Sequence, residues 1–192
     1  MRELRIHGRG GQGAVIASKL LAVAFFREGH WVQSFPAFGV ERRGAPVTAF
    51  LRVDDAPILL RCEITAPRDL IVLDPTLVAA VDVTAGLVPG GSILINSPHG
   101  PDAYPDLADR FRVGTIDAAR IAADHGLGSK TQPIVNTAMA GAFAAMSGLL
   151  GLEAVCDAIR EEVPFKVEAN IAAARQASHA VQVLAAAEAG HV

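Results

Sequence analysis

The 192-residue chain is 51% hydrophobic, 19% charged and 5% aromatic, a balance that excludes intrinsic disorder. Its formal net charge of -3 carries no basic excess, so no nucleic-acid partner is expected. A chain of this length buries roughly 70% of its unfolded surface when it folds as one unit, and residues 1–192 show no repeat, linker or charged tail that would divide them. The mean hydropathy of +0.34 is high for a lone soluble chain and suggests apolar surface covered by other subunits.

The N-terminus, MRELRIHGRGG, lacks the apolar core of a signal peptide, and a cytoplasmic location is expected. Short apolar runs alternate with longer helical stretches. That pattern predicts an α/β fold: a Rossmann-like, mostly parallel sheet with helices on both faces and an antiparallel strand pair. Residues 4–7 predict a first strand that ends at Gly8, and residues 14–28 a helix stopped by Gly29. A second strand is expected at 31–35, followed by a turn-rich segment, 36–46, too polar for the core. Residues 47–53 and 58–62 suggest an antiparallel pair around the turn at 54–57.

Residues 70–74 form a continuous apolar run that closes on Asp74, as in a central strand covered on both faces. A short helix is expected at 75–83, and Gly90 and Gly91 open a strand at 92–96. Residues 97–110, with three prolines and the lone Tyr104, predict a surface loop; 113–116 suggest a last short strand, and two or three helices end the chain. The uncharged stretch 131–152 has an apolar part, 137–152, below the roughly 20 residues of a membrane span, so it predicts a buried helix. Cys62 and Cys156 lie far apart, which fits reduced, buried thiols and neither a disulfide framework nor a metal site.

The sharpest chemical signal is Gly8-Arg9-Gly10-Gly11-Gln12-Gly13, a G-x-G-x-x-G between a first strand and a helix. Glycines there allow positive φ and close approach of the backbone to a phosphate, and the helix N-terminus presents free amides to an anion. The alternative is a tight turn that needs glycine for packing alone. An NAD site also needs a carboxylate at the end of the second strand, and residues 32–35 contain none. Arg42 and Arg43 would instead suit the ribose phosphate of NADP or of coenzyme A, because each guanidinium presents a rigid fork of donors. They equally suit an interface loop paired with acids of a partner. Asn136 precedes the apolar helix, as an N-cap or a ligand contact. Lys19 reads as an exposed helical lysine or a further phosphate contact, the six histidines show no i, i+4 metal pair, and Asp74 reads as a helix cap or a ligand contact.

GRGGQG at 8–13 together with SFPAFGVERRGAPVTAFLR at 34–52 resembles the gamma subunit of the 2-oxoacid:acceptor oxidoreductases, of the pyruvate:ferredoxin oxidoreductase type. The likeness extends to Leu73-Asp74, Val88-Pro89-Gly90-Gly91, NTAMAGAF with Asn136 and Gly141, and Lys166 with Asn170. The ERRGAPV form is similar to pyruvate-type members. The resemblance implies oxidative decarboxylation of a 2-oxoacid with coenzyme A. Pyruvate is the default substrate, and branched-chain 2-oxoacids or phenylglyoxylate are the alternatives. It implies coenzyme A contacts at Gly10, Gly11, Gln12, Gly13, Arg42, Arg43 and Gly44, with Asn136 as a further candidate. Single-chain relatives carry lysines where Arg42 and Arg43 align, so that match is one of charge.

Thiamine diphosphate with magnesium, and the iron–sulfur clusters, are implied on companion alpha, beta and delta subunits. This chain has no Gly-Asp-Gly motif, and its two cysteines are too few for a cluster that takes four thiolates. Electrons would pass to ferredoxin or to a flavin/NAD subunit. Two rival readings are a stand-alone nucleotide-binding or scaffolding domain, and a self-sufficient NADP oxidoreductase.

Overall fold

A computed structural model describes residues 1–37, 44–129 and 131–186. Among them, seven strands form one sheet in the order β2-β3-β1-β4-β5-β6-β9. They are β1 (Arg2–Arg9), β2 (Trp31–Pro36), β3 (Pro46–Asp54), β4 (Asp69–Val72), β5 (Ser92–Asn96), β6 (Arg112–Ile116) and β9 (Gln182–Leu184). A separate two-stranded hairpin joins β7 (Gly128–Ser129) to β8 (Gln132–Pro133). β1, β4, β5 and β6 run parallel, while β3 lies antiparallel to both β1 and β2, and β9 antiparallel to β6. The expected mostly parallel, Rossmann-like sheet is what forms.

The period-two alternation of the central strands sends side chains into two cores. Leu4, Ile6, Ile71, Leu73 and Leu94 face helices α1 (Ala14–Arg27), α5 (Asn136–Ser147), α6 (Leu152–Glu162) and α7 (Val167–Ala180). Leu70, Val72, Ile93, Ile95 and Val113 face the opposite layer, which includes α2 (Leu77–Ala80) and α3 (Pro105–Ala108). Helix α5 is the expected buried segment, with ten of its 12 residues inaccessible. Among the described residues, no helix is long and apolar enough to cross a membrane.

Several expected elements differ. Residues 58–62 form no strand; both edges of β3 are taken, by β1 and by β2. The 58–62 segment is instead held by side chains, with Gln33 Nε2 donating to the Leu60 carbonyl and Arg52 Nη2 to that of Cys62. The loop at 97–110 contains a 3-10 turn (Pro101–Ala103) and α3, and it buries Pro101 and Ala108. The helix expected at 75–83 shrinks to the single turn α2. Among the described residues, four helices follow β6, α4 (Ala118–Asp124) and α5 to α7, and then β9, so 113–116 is not the last strand. β9 is only three residues long, too short to show a strand periodicity, and all three are exposed.

Candidate functional site at the crossover edge of the sheet

From β1 the chain crosses through α1 to β2 on one side of the sheet, and β4 then takes up the other side of β1. That reversal opens a crevice at the carboxyl ends of β1 and β4, where open α/β sheets bind ligands. A cleft of about 920 Å³ occupies it. Arg9 and the glycine loop line one side, Leu73 and Asn96 the floor, and the β7–β8 hairpin with Ile134 and Val135 the far wall. Asn96 sits at the end of β5; its Nδ2 donates to the Leu73 carbonyl and its Oδ1 accepts from the Ala119 amide, tying floor to flank.

The glycine loop takes the backbone conformations its composition permits. Gly11 and Gly13 adopt φ of 98° and 81°, and Gly13 leads directly into α1. The Gly13 carbonyl accepts from the Ala17 amide, so the preceding first-turn amides of α1 have no intrahelical partner. Gly10 is paired across to the turn before β3: its amide donates to the Ala45 carbonyl at 2.9 Å, and the Gly44 amide donates to the Gly10 carbonyl at 3.1 Å. Two motifs that the sequence separates are therefore one backbone surface, since Arg9 already pairs with Pro46 in the β1–β3 ladder. Gly44 itself has φ of 81°. Arg42 and Arg43 lie outside the described residues.

The side chains around the loop form a closed set of hydrogen bonds. Gln12 Oε1 accepts from the Arg9 amide at 2.7 Å, and its Nε2 donates to Asp74 Oδ2 at 3.0 Å. Arg9 donates from Nε to Asp74 Oδ2 at 3.0 Å, from Nη1 to the Gly44 carbonyl at 3.1 Å and from Nη2 to Thr76 Oγ1 at 2.8 Å. Burial pushes the Asp74 carboxyl up, but hydrogen bonds from Thr76 and Gln12 and the Arg9 charge outweigh it and hold it below the usual carboxylate range. Gln12 thus shapes the loop with both ends of its amide.

Asn136 is buried as the first residue of α5 and not as its cap, because the helix starts one residue earlier than expected. Its Oδ1 accepts from the Thr137 amide at 2.8 Å. A Cβ on Gly13 would stand 2.9 Å from its Nδ2, so the α1 and α5 N-termini meet through a glycine and an asparagine. Lys19 is not a phosphate contact of this cleft: it does not line it, and it pairs with Glu162 on α6. His7 is buried behind the loop, and burial together with the Arg5 charge lowers its pKa to about 4. Cys156 is buried as expected but Cys62 is exposed, in a segment that forms no strand; neither lines the cleft, and among the described residues no group of three or more His, Cys, Asp or Glu side chains is placed to hold a metal. In the sequence Arg9 is a variable position of the glycine motif and Asp74 a helix cap or a ligand contact; no local signal joins the two.

Sheet order and glycine loop together define a Rossmann-like α/β protein with its candidate site at the switch point. Residues 3–180 match the family model described as pyruvate ferredoxin/flavodoxin oxidoreductase, and the chain belongs to that family, among its gamma, or PorC, subunits. It is accordingly one subunit of an oxidoreductase acting on oxo groups. It is 49% identical over 164 residues to the pyruvate/ketoisovalerate oxidoreductases common subunit gamma of Thermococcus kodakarensis, covering 84% of this chain and 86% of that one. It is 49% identical over 178 residues to the pyruvate synthase subunit PorC of Methanocaldococcus jannaschii, covering 92% and 95%. The crystal structure of pyruvate oxidoreductase subunit PORC from Thermotoga maritima superposes with a TM-score of 0.78 at 30% identity, over 95% of this chain and 97% of that one. The fold also recurs, at 16% identity and a TM-score of 0.73 over 93% of this chain and 30% of the other, in the 2-oxoglutarate:ferredoxin oxidoreductase from Magnetococcus marinus solved with coenzyme A bound.

Proposed function

We propose that this subunit holds the phosphates of coenzyme A at the switch-point cleft and helps enclose an active site carried by companion chains. The reaction served is CoA-acylating oxidative decarboxylation: a 2-oxoacid loses carbon dioxide, the acyl group passes to the thiol, and the electrons pass to ferredoxin or a flavin/NAD subunit. Thiamine diphosphate, magnesium and iron–sulfur clusters belong to the alpha, beta and delta chains in this reading, and the complex is cytoplasmic. The observation that carries it is the backbone pairing of Gly10 with Gly44 and Ala45, which merges the glycine loop and the turn of the basic motif into one rim of the cleft.

Gly11 and Gly13 offer backbone amides to the anion, and Gly10, Gln12 and Gly44 set the shape of the rim. Arg42 and Arg43 supply charge in bidentate form, and Asn136 seats the loop against α5. Such a subunit contributes position and electrostatics and no acid, base or nucleophile. Pyruvate is the substrate we assign, on the names of the relatives. The word "common" in the name of the Thermococcus subunit favours a second reading, in which this chain also serves a branched-chain 2-oxoacid. A gamma subunit that leaves the 2-oxoacid to its partners accommodates both.

The test is the double substitution Arg42→Ala/Arg43→Ala in the purified complex. It should raise KM for coenzyme A by about a hundredfold, as expected when two charge-assisted phosphate contacts worth about 1.5 kcal/mol each are removed. KM for the 2-oxoacid should stay as it was. An unchanged coenzyme A dependence overturns the assignment.

A further inference from the structure

We propose that Asp74 is the positioning residue of this anion site: its carboxylate is the shared acceptor that fixes Arg9 and Gln12 and, through Arg9, the Gly44 turn in the arrangement that receives the ligand's phosphates. The inference rests on the coenzyme A reading and names the group that builds that site.

A carboxylate beside a polyanion's seat is unfavourable by charge alone. Asp74 follows β4 directly beside the end of β1, with its side chain only 14% exposed and its charge met by Arg9. It accepts four hydrogen bonds: Arg9 Nε and Gln12 Nε2 on Oδ2, and the Thr76 amide (2.9 Å) and hydroxyl (2.6 Å) on Oδ1. An ionised carboxylate is the side chain that presents acceptors on both oxygens at this length; an asparagine must turn its NH₂ toward one pair of donors. The Thr76 pair anchors Asp74 to its own strand end, and the other pair reaches across the switch point.

What the second pair holds is the part of the site with least intrinsic order. Gly10, Gly11 and Gly13 bring no side chain to define the loop, and Gly11 and Gly13 sit at positive φ. Gln12, locked between the Arg9 amide and Asp74, spans the loop. Arg9, locked by Asp74 and Thr76, holds the Gly44 carbonyl with its remaining Nη1. Such pre-organisation removes the ordering cost from the binding step, so its loss appears as weaker binding of one ligand and not as lost chemistry.

The experiment compares the wild-type complex with Asp74→Asn, Arg9→Lys and the Arg42→Ala/Arg43→Ala pair, measuring KM for coenzyme A, KM for the 2-oxoacid, and kcat. Asp74→Asn should raise KM for coenzyme A about tenfold, the equivalent of about 1.4 kcal/mol, while KM for the 2-oxoacid is unmoved and kcat falls far less. Arg9→Lys should raise it similarly, because a single ammonium cannot span the three acceptors that the guanidinium fork reaches. If Asp74→Asn leaves KM for coenzyme A at the wild-type value while the paired arginine variant raises it, the clasp is overturned and the coenzyme A site stands. If none of the three variants moves that KM, both readings fall. Equal losses in both KM values and in kcat mark Asp74 as merely structural and overturn the proposal. Should Asp74→Asn not assemble, Arg9→Lys decides: a raised KM for coenzyme A supports the clasp, and a wild-type value refutes it.

Discussion

Gly141→Ala sets two effects of opposite sign against each other, and the helix pairing decides between them. Helices α5 and α7 run side by side in the same direction: Thr137 Oγ1 donates to Asn170 Oδ1 at 2.9 Å, and one turn further on Gly141 meets Ala174. A Cβ at Gly141 would stand 2.7 Å from the Ala174 carbonyl carbon and 2.8 Å from its Cα, and closer still to the carbonyl oxygen. Carbon contacts are comfortable at about 3.5–4.0 Å, so the helices would have to part by about 1 Å. Neither helix has room to yield, since Ala173, Ala174 and Ala177 are fully buried in the same core as Met139 and Phe143. Alanine gains about 1 kcal/mol over glycine in helix propensity. Overpacking costs about 1–3 kcal/mol, and a collision with backbone belongs at or beyond the upper end. The net is a loss of about 2 kcal/mol, which for a domain of this size lowers Tm by about 4–8 °C. Thermal unfolding followed by circular dichroism measures it; a Tm equal to or above that of the wild type refutes the close-approach argument.

Two further perturbations probe the sheet. Burial, with the Arg5 charge beside it (Nε donating to His7 Nε2 at 3.0 Å), holds the folded ring neutral with a pKa of about 4, against 6.5 for a free histidine. The unfolded chain binds the extra proton between those values, so this stability is complete above pH 6.5 and drains away as pH falls towards 4, by about 3 kcal/mol in all. His7→Gln keeps an acceptor for Arg5 and should flatten the decline; equal losses between pH 7 and 4.5 in both proteins, read from denaturant midpoints, would show that His7 is not its source. Arg52 is 1% exposed and donates to Glu3, Gln33 and the Cys62 carbonyl while lying over the Phe35 ring. Arg52→Ala strands all three acceptors and should cost about 3 kcal/mol in urea unfolding, and a loss below about 1 kcal/mol would mean that water replaces the guanidinium at little cost.

What the sequence revealed was whatever its neighbours along the chain determine. Residues 70–73 and 93–95 are apolar without interruption because both faces are covered; the strand expected at 92–96 forms at those bounds, and the one expected at 70–74 forms as β4, Asp69–Val72. The glycine loop was legible because a strand, a turn of glycines and a helix follow one another directly. The error over 58–62 has the opposite origin. A turn between two apolar runs is a local hairpin signal, yet β3 finds partners on both sides in strands laid down earlier, and the later segment is left to side-chain anchors. The Arg9–Asp74 contact joins residues 65 positions apart, and nothing near either one announces the other.

The insertion of β3 between β1 and β2 builds the candidate site. In a sheet without it, β1 and β2 would be neighbours and the chain after β2 would leave the carboxyl edge. Here β3 returns antiparallel along β1 in the register Gly8 to Val47 and Arg9 to Pro46, so Gly44 and Ala45, which lead into β3, must lie beside Gly10, which leaves β1. Register therefore fuses the two motifs into one rim, while β4, parallel on the other side of β1, brings Asp74 within reach of Arg9 and Gln12. A slip of one residue between β1 and β3 would reverse the faces of the strand and send Arg52 away from Glu3, Gln33 and Cys62. The buried Arg52 network, at the opposite end of the β1–β3 ladder from the glycine loop, thus guards the alignment on which that loop depends, and the candidate site is a property of strand register before it is a property of any side chain.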